Sequence, residues 1–288
     1  MPQLETIDLT FLTALGEWVA TSSEGRLALQ RTILVALASS FSFCAPPKLI
    51  SLTLRNLRTW DLVPLECPGF QAVLKNLRRL QLFMLFDRAR DDATAFDRWS
   101  YFWSALCYRL ILVPTQHALT ELTLHPETPF GVMGGLHVHG IHLQNLRVLS
   151  FTGLYFPSLR VLSLRMLVFK PSAGVETFIL RHAATLTRLE LIMCKLLIPN
   201  DEKSGAGPTR WEHIWDNFAT RLTALVALHV DDSSVNGSPK NYRYSREKTE
   251  SIYFEEDVPP HLDVADAAAL ERLYVTIAAR SEEARGAT

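Results

Sequence analysis

Three histidines, His137, His139 and His142, come nearest in this sequence to the spacing of a metal site. On a strand the first two would share one face, and two imidazoles on one face can bind zinc. His142 would face the other way, and no cysteine or carboxylate completes the set at a familiar spacing. The pattern therefore favours surface or half-buried loop histidines, and we predict no bound metal and no other cofactor.

Motifs for catalysis or phosphate binding are equally weak. The glycines at 131–135 form neither GxGxxG nor a P-loop, so a turn is the favoured interpretation. Neighbouring carboxylates occur at 91–92, 231–232 and 255–257, whereas paired catalytic acids come from separated positions that converge in a cleft. No GxSxG is present. We therefore predict that the protein is not an enzyme.

Charge and cysteine usage exclude further classes of function. The 29 Lys and Arg nearly balance the 30 Asp and Glu, so the basic excess typical of nucleic-acid binding is missing. No basic amphipathic segment indicates a membrane surface, and the apolar run at 33–45 is too short to span a bilayer. The start of the chain lacks the pattern of a signal peptide. The four cysteines form no CxxC pair, so we expect a cytoplasmic or nuclear location.

One phrase recurs along the chain, LxxLxL, in which the leucine positions are sometimes taken by Ile, Val or Phe. Clear copies occupy 49–54, 77–82, 119–124, 146–151, 159–164 and 186–191, and weaker copies occupy 4–9 and 225–230. The LxL step places two side chains on one face of a strand, and the leading leucine enters the same core from the preceding turn. A single copy buries too little apolar surface to fold alone, so stacked copies should share a core.

Leading leucines of several copies are 27 or 28 residues apart, which matches the long, helix-bearing class of leucine-rich repeat. The fold class that we predict is α/β, an irregular leucine-rich-repeat solenoid with a curved parallel sheet and helices on its convex side. It should form a single domain over residues 1–288, with seven or eight strands. The short interval between Leu146 and Leu159 leaves no room for a helix, so 153–158 should be an extended connector.

Helical spacing of apolar residues marks the connections between these phrases. It predicts helices over 24–41, around 70–77, around 99–110 and from Trp211 to Phe218. Thr209 and Glu212 form a capping-box pattern at the start of the last of these, and Trp211 and Trp215 are expected in the core. The final LxxLxV match, at 270–275, lies among alanines after an acidic start, so a C-terminal helix over about 263–282 is favoured.

Two stretches are too polar for the core. Residues 199–208 carry two prolines and two glycines and should form a loop. Residues 231–260 mix Ser, Asn, Gly, Lys, Arg, Glu and Tyr, which predicts a long polar loop. Two interpretations of that loop stay open: a solvated excursion, or a segment that orders when it binds a partner.

The sequence resembles the leucine-rich-repeat portion of the fungal family of F-box-type proteins. The resemblance is carried by FPSLRVLSL at 156–164, ILRHAATLTRLEL at 179–191, WEHIWDNF at 211–218 and ALERL at 269–273, in that order. It implies a substrate receptor of a cullin-RING ubiquitin ligase, whose repeats hold the protein to be ubiquitinated. The first repeat phrase begins at Leu4, so the F-box is not in this sequence. A ligase adaptor is therefore expected as a partner only if an F-box lies upstream.

Residues between the leucines of each phrase should point away from the core, onto a concave face, where solenoids usually bind. The candidate partner-binding face comprises Ser51, Thr53, Arg79, Gln81, Glu121, Thr123, Ser150, Ser163, Arg188, Glu190 and His229, with Thr6 and Asp8 at the weaker first copy. This polar set of mixed charge suits contact with another protein. We therefore expect a protein–protein interaction scaffold. The alternative is an orphan leucine-rich-repeat protein with no link to ubiquitin ligases.

Overall fold

A computed structural model describes residues 4–11, 23–43, 48–58, 63–85, 101–126, 149–169, 173–198, 210–231, 243–248, 251–253 and 260–286. The α/β class is confirmed, because parallel strands alternate with helices along the chain. The residues group into two compact units. The first takes Met1–Gly131 with Arg147–Leu149 and Phe156–Ser158, and the second takes the rest up to Thr288.

Four parallel strands form the sheet portion of the first unit. They are β1 (Thr6–Thr10), β2 (Ser51–Arg58), β3 (Arg79–Leu85) and β4 (Glu121–Pro126), paired in that order. Each strand contains the second and third apolar positions of one copy of the repeat phrase. The second and third leucines of the three clear copies are at most 1% exposed, and so are their leading leucines. The spacing of leucines thus predicted both the strands and the residues that form their core.

Helices connect the strands of the first unit. They are α1 (Ser23–Phe43), α2 (Pro68–Leu74) and α3, in which Phe102–Leu112 has π-helical geometry and Val113–Thr115 adds a final turn. A 3-10 turn, Val63–Glu66, precedes α2. Helix α1 packs on α2 with Leu34, Ala38 and Phe41 buried, spaced three or four residues apart. The helices predicted from apolar spacing are confirmed here, although nothing in the sequence explains the π geometry of α3.

The second unit also contains three parallel strands from the repeat phrase. They are β5 (Val161–Arg165), β7 (Arg188–Ile192) and β9 (Ala227–Asp231), paired in that order. A further ladder runs through β6 (Val168–Phe169), β8 (Lys195–Ile198), β10 (Arg243–Lys248) and β11 (Ser251–Tyr253). Its pairs are parallel except for β10 with β11. Strands β10 and β11 lie within the stretch predicted as a polar loop over 231–260, because β10 pairs with β8 through backbone groups that composition does not reveal.

A residue with left-handed backbone precedes each of the short strands β6 and β8. Met166 and Met193 have φ of 54° and 52°, two residues after the last leucine of their copies, and Asn56 has 56° at the same position. The N–H of Met166 donates to the Ile192 carbonyl at 2.7 Å, and that of Met193 to the Asp231 carbonyl at 2.6 Å. Each turn is thus bonded to the next repeat.

The copy of the phrase at 146–151 does not form a strand in its described part, which corrects the sequence prediction. Leu149 and Phe151 are buried as a repeat would require. A turn at Thr152 follows directly, and the Phe151 N–H donates to the Ala173 carbonyl at 2.8 Å. The pattern therefore marked core residues but not strand pairing. The residues from 153 to 158 lack regular structure, as expected of a connector.

The second unit contains three helices in the described residues. Helix α4 (Val175–Arg181) precedes β7, whereas α5 (Trp211–Arg221) and α6 (Pro260–Gly286) pack side by side. Trp211 and Trp215 are 1% exposed, with ring centroids 4.7 Å apart and planes 10° apart, so their predicted place in the core is confirmed. The C-terminal helix is confirmed as well, with bounds wider than predicted. None of the described helices has the length of apolar sequence that crossing a membrane requires.

Helix α6 supplies hydrogen bonds to both ends of α5. A carboxylate oxygen of the buried Asp266 accepts the Glu212 N–H at 2.8 Å, in the first turn of α5. At the other end Arg280 donates to the carbonyls of Leu222 at 2.9 Å and Ala219 at 2.5 Å. The Asp266 carboxyl group therefore lies at the positive end of the α5 dipole and the Arg280 guanidinium at its negative end.

The capping box predicted at the start of α5 is corrected. The N-cap residue is Arg210, which makes no side-chain capping bond, and Thr209 lies outside the described residues. The Glu212 N–H, one of the donors that a helix leaves unsatisfied in its first turn, is bound by Asp266, 54 residues away in the chain. Local sequence could not supply this cap because it comes from another helix.

Candidate functional site

Polar side chains of the first unit form rows across its strands, on the face opposite the leucine core. Ser51, Arg79 and Glu121 are aligned on β2, β3 and β4, and Thr53, Gln81 and Thr123 make the next row. Thr6 and Asp8 extend the rows onto β1. The register of the strands makes residues at the same position of the phrase cross-strand neighbours.

Arg79 and Glu121 form a two-pronged ion pair within the first row. The Nε and Nη2 atoms of Arg79 donate to the two carboxylate oxygens of Glu121 at 2.5 and 2.9 Å. The hydrogen bonds to Glu121 and its charge raise the pKa of Arg79. Both side chains are partly exposed, so a partner could contact either one.

The next residues along these strands were missed by the sequence analysis and belong to the same face. The guanidinium carbon of Arg55 lies 4.1 Å from the centre of the Phe83 ring, a cation–π contact. Phe83 in turn meets His125 edge to face, with centroids 5.4 Å apart, and Asp8 lies 3.6 Å from Arg55 Nε. The available signal was the alternation itself, which continues one step beyond the last leucine of each phrase.

Three strands of the second unit carry a compact polar cluster. Ser163, Glu190 and His229 are aligned on β5, β7 and β9. One oxygen of Glu190 accepts the Ser163 hydroxyl at 2.6 Å. The other oxygen accepts two N–H groups of Arg188 at 3.0 and 2.5 Å. Both oxygens of this carboxylate therefore already accept hydrogen bonds from its neighbours.

The environment of Glu190 favours its ionised form. Partial burial opposes ionisation, but the hydrogen bonds from Ser163 and Arg188, together with the charges of Arg188 and His229, outweigh it. The pKa of Glu190 consequently lies below its ordinary value. The carboxylate is thus held as an anion at the centre of the polar face of this unit.

Not every predicted residue is accessible, which corrects part of the candidate face. The four small hydroxyl residues on strands are buried: Ser51 and Thr53 are 5% exposed, Thr123 9% and Ser163 3%. Neighbouring strands lie only about 4.8 Å apart, so longer side chains alongside cover short ones. Ser150 lies on no strand, and its hydroxyl is 2.8 Å from that of Thr152. The accessible candidates are Arg79, Gln81, Glu121, Arg188, Glu190 and His229, all exposed or half-buried.

The described residues contain no group of three His, Cys, Asp or Glu side chains that could hold a metal ion. The histidines at 137–142, the glycines at 131–135 and the carboxylates at 91–92 and 255–257 lie outside the described residues. Cys107 and Cys194 are buried free thiols, and burial raises the pKa of Cys194 to about 12. Such thiols are poor nucleophiles, because the thiolate is the reactive form.

Cys67 differs from the other described thiols. Its hydrogen bonds with the Ser42 hydroxyl, at 3.2 Å, and with backbone N–H groups of α2 lower its pKa. No titratable residue is bonded to it as a general base in the part of the chain that the structure describes, so the arrangement does not form a nucleophile–base pair. The polar strand faces therefore remain the candidate site.

Comparisons with models of known families, with curated proteins and with solved structures found no match.

Proposed function

We propose that this chain is a non-enzymatic scaffold that binds another protein through the polar faces of its parallel strands, within an irregular leucine-rich-repeat solenoid. The observation that carries the proposal is the in-register arrangement of these faces. Seven parallel strands each come from one copy of the phrase, with leucines on one side and aligned polar side chains on the other. Repeat proteins commonly bind along such a surface.

The composition of the faces favours a protein partner. Arginine and aromatic side chains are enriched in protein interfaces, and Arg55 on Phe83 supplies that combination. Arg79 and Arg188 are each matched by a carboxylate, so the faces do not form the uniformly basic surface that a phosphate backbone requires. A surface of alternating charge gives specificity by placing unlike charges opposite each other.

Proximity labelling in the native organism tests this proposal. We expect a set of labelled proteins to be lost with the charge reversals Arg79→Glu, Arg188→Glu and Glu190→Arg. The same set should be retained with Lys75→Glu and Arg221→Glu, which alter exposed residues at the ends of α2 and α5. Circular dichroism of each variant shows whether it is folded. Labelled sets that are identical for folded face variants and wild type would contradict the proposal.

We further propose that the bound protein is a substrate for ubiquitination, as the resemblance to F-box-type repeats implies. The test is affinity purification of the endogenous protein from native extract, followed by immunoblots for cullin and for the ligase adaptor. Co-purification of both is the expected result where an F-box precedes these repeats in the endogenous protein. If the face-dependent partners are found without any ligase subunit, the scaffold function stands and the ligase role fails.

A further inference from the structure

Strand β1 is the first strand of the sheet in the first unit and has a neighbour on one side only. It pairs with β2, and no strand is paired with its other side in the part of the chain that the structure describes. In a parallel strand the backbone groups of successive residues point to opposite sides. The side of β1 that faces away from β2 is therefore a sheet edge, where N–H and C=O groups are left unpaired.

The hydrogen bonds between β1 and β2 identify the residues whose backbone forms this edge. The Glu5 carbonyl accepts a bond from the N–H of Ser51 on β2 at 3.1 Å, and the Phe11 N–H donates one to a β2 carbonyl at 3.0 Å. Every second residue from Glu5 to Phe11 consequently bonds to β2. The residues between them, whose backbone points away from β2 and which are all exposed, are Thr6, Asp8 and Thr10.

Apolar side chains beside this edge are incompletely covered. Leu9 is half-buried and Ile7 is 7% exposed, whereas their cross-strand neighbours on β2, Leu54 and Leu52, are each 1% exposed. Inside the sheet a strand on each side covers such a residue at a spacing of about 4.8 Å, and β1 lacks one of the two. A further strand beside β1 would therefore bury apolar surface and pair the free backbone groups at the same time.

The last strand of the second unit, β9, presents a contrasting edge. The Ala227 N–H donates to the Thr187 carbonyl at 3.0 Å, so the backbone groups of Val230, three residues later, point away from β7. Helix α6 packs against β9, and its Tyr274 hydroxyl lies beside the Val230 N–H. Among the described elements, β1 has extensive contact only with β2. A helix thus protects the edge at β9, and none of the described helices does so at β1.

We propose that the open edge of β1 binds an extended segment of a partner protein, which adds a strand to the sheet. In this mode of recognition main-chain hydrogen bonds supply affinity and alternate side chains supply specificity. Residues of the segment on the core side should be apolar, because they would cover Ile7 and Leu9. Those on the other side would include a Lys or Arg beside Asp8. The inference goes beyond the proposed function, because it uses the backbone of an edge and not the side chains of the polar faces.

The charge at the middle of the edge disfavours a second copy of this chain as the occupant. In a symmetric pair of β1 strands aligned over their full length, Asp8 would lie opposite Asp8 of the other copy, and like charges directly opposite are destabilising. Arg55 Nε is 3.6 Å from Asp8, but Arg55 is on β2, on the side away from the edge. The Asp8 side chain is 54% exposed, so a basic residue of a partner segment can reach it.

Peptide display on the purified full chain tests the proposal. A random library is selected on wild type, and the selected peptides are then measured on Thr10→Pro and on the matched variant Thr10→Ala. Proline lacks the N–H that an added strand would use, and at this outward position the change removes no bond between β1 and β2. We expect the affinity to fall about tenfold or more with Thr10→Pro and to change little with Thr10→Ala.

The sequences of the selected peptides test the chemistry of the partner. We expect apolar residues at alternate positions and a Lys or Arg at one position between them. Selection on Asp8→Asn should no longer enrich that basic residue, because the charge that favours it has been removed. Basic enrichment that is equal on Asp8→Asn and wild type would contradict the place assigned to Asp8.

Hydrogen exchange of the wild-type chain is a second measurement that does not depend on whether a proline variant folds. In the free chain the amides of Asp8 and Thr10 should exchange faster than those of Ile7 and Leu9, which bond to β2. A selected peptide should slow the exchange of Asp8 and Thr10. Amides of Asp8 and Thr10 that are already protected in the free chain would show that the edge is paired, and would overturn the proposal.

The outcomes separate this inference from the proposed function. Peptides that are lost with Thr10→Pro but bind Arg79→Glu and Arg188→Glu as they bind wild type support the inference. Equal affinity for folded Thr10→Pro and Thr10→Ala, or a library that yields no binder, overturns it, while the labelling experiment on the polar faces still decides the scaffold function. Self-association of wild type that Thr10→Pro abolishes would make a second copy the occupant and would also overturn it.

Discussion

Three residues other than glycine have left-handed backbone in the described part of the chain, and all three fall at the same position of the repeat phrase. Asn56, Met166 and Met193 each lie two residues beyond the last leucine. An ordinary L-residue gives up about 1–2 kcal/mol in this conformation, whereas Asn tolerates it. Two methionines are therefore held there by their surroundings, including the bonds to the next repeat.

The strain at Met193 predicts an order of stability. Met193→Val should lower the free energy of unfolding by about 1–2 kcal/mol relative to Met193→Asn, because a β-branched residue fits the left-handed region poorly. Urea unfolding measures both. Ile192→Val, one residue earlier on β7, is the control and should cost less. Equal stability of the Val and Asn variants would contradict the left-handed backbone.

Glu190 gives the molecule a predictable response to acid. The pKa of Glu190 is lowered in the folded state. Its contribution to the free energy of unfolding is therefore complete above its pKa in the unfolded chain, about 4.3. As the pH falls below that value, the unfolded chain takes up the proton first and the contribution is lost. Glu190→Gln should cost about 1 kcal/mol at pH 7, and the difference from wild type should shrink towards zero in acid.

Urea titrations between neutral pH and pH 3 measure this difference. Glu282→Gln, a change at an exposed glutamate of α6, serves as the control and should show no comparable loss at pH 7. A constant difference between wild type and Glu190→Gln at every pH would mean that the carboxylate is not stabilised as an anion.

Both ends of helix α5 are held by hydrogen bonds from another helix, α6. Asp266 and Arg280 of α6 bind its first and last turns, and Arg272 pairs with Asp216 at 2.9 Å between them. The pairs follow the same order along both helices, so α5 and α6 run parallel. A helix of α5's length is marginal on its own, so these contacts decide whether its termini fray.

Removal of one end contact should therefore loosen α5. Asp266→Ala is expected to lower the free energy of unfolding by about 2 kcal/mol, the usual scale of a lost hydrogen bond to a charged group. Hydrogen exchange at the Glu212 amide should accelerate in the same variant. Glu271→Ala, an exposed change on α6, should leave that amide unaffected. Unchanged exchange in Asp266→Ala would show that the first turn is held by other contacts.

The elements also show what the sequence can and cannot reveal. Strands β2, β3, β4, β5 and β7 were predictable because each needs its own leucines at fixed local spacing. The short strands β6 and β8 were not, because they depend on backbone angles at Met166 and Met193 that side-chain type does not encode. The candidate face followed from the alternation of side chains. Its extension to Arg55 and Phe83 required knowing that the strands continue beyond the last leucine of each phrase.

Among the described residues, burial of the repeated leucines is high on β2, β3, β4, β5 and β7 but lower at β9. Leu162 and Leu189 are fully buried in the second unit, whereas Leu228 at the same position of the phrase is half-buried. Near β9, burial raises the pKa of Tyr274 on α6, and the backbone N–H of Val230 on β9 partly offsets the rise. Helix α6 thus approaches β9.

The stability lost in three leucine-to-alanine variants should follow this difference in burial. Leu162→Ala and Leu189→Ala should each cost about 3–4 kcal/mol, since each leaves a cavity in a packed core. Leu228→Ala should cost about 1–2 kcal/mol, because the half-buried side chain loses less contact with apolar neighbours. Chemical unfolding of the three variants measures the series. Equal costs at all three positions would contradict the partial burial of Leu228.

The bonds from α6 to α5 also set an order of events on the ribosome. Arg280 lies 58 residues after Leu222, whose carbonyl it binds. At a synthesis rate of about 5–20 residues per second, roughly 3–12 s pass between the two. During that interval the nascent chain carries α5, with the paired indoles of Trp211 and Trp215, before its companion helix is complete. Chaperones that recognise exposed apolar segments should therefore meet this protein at α5 during that interval.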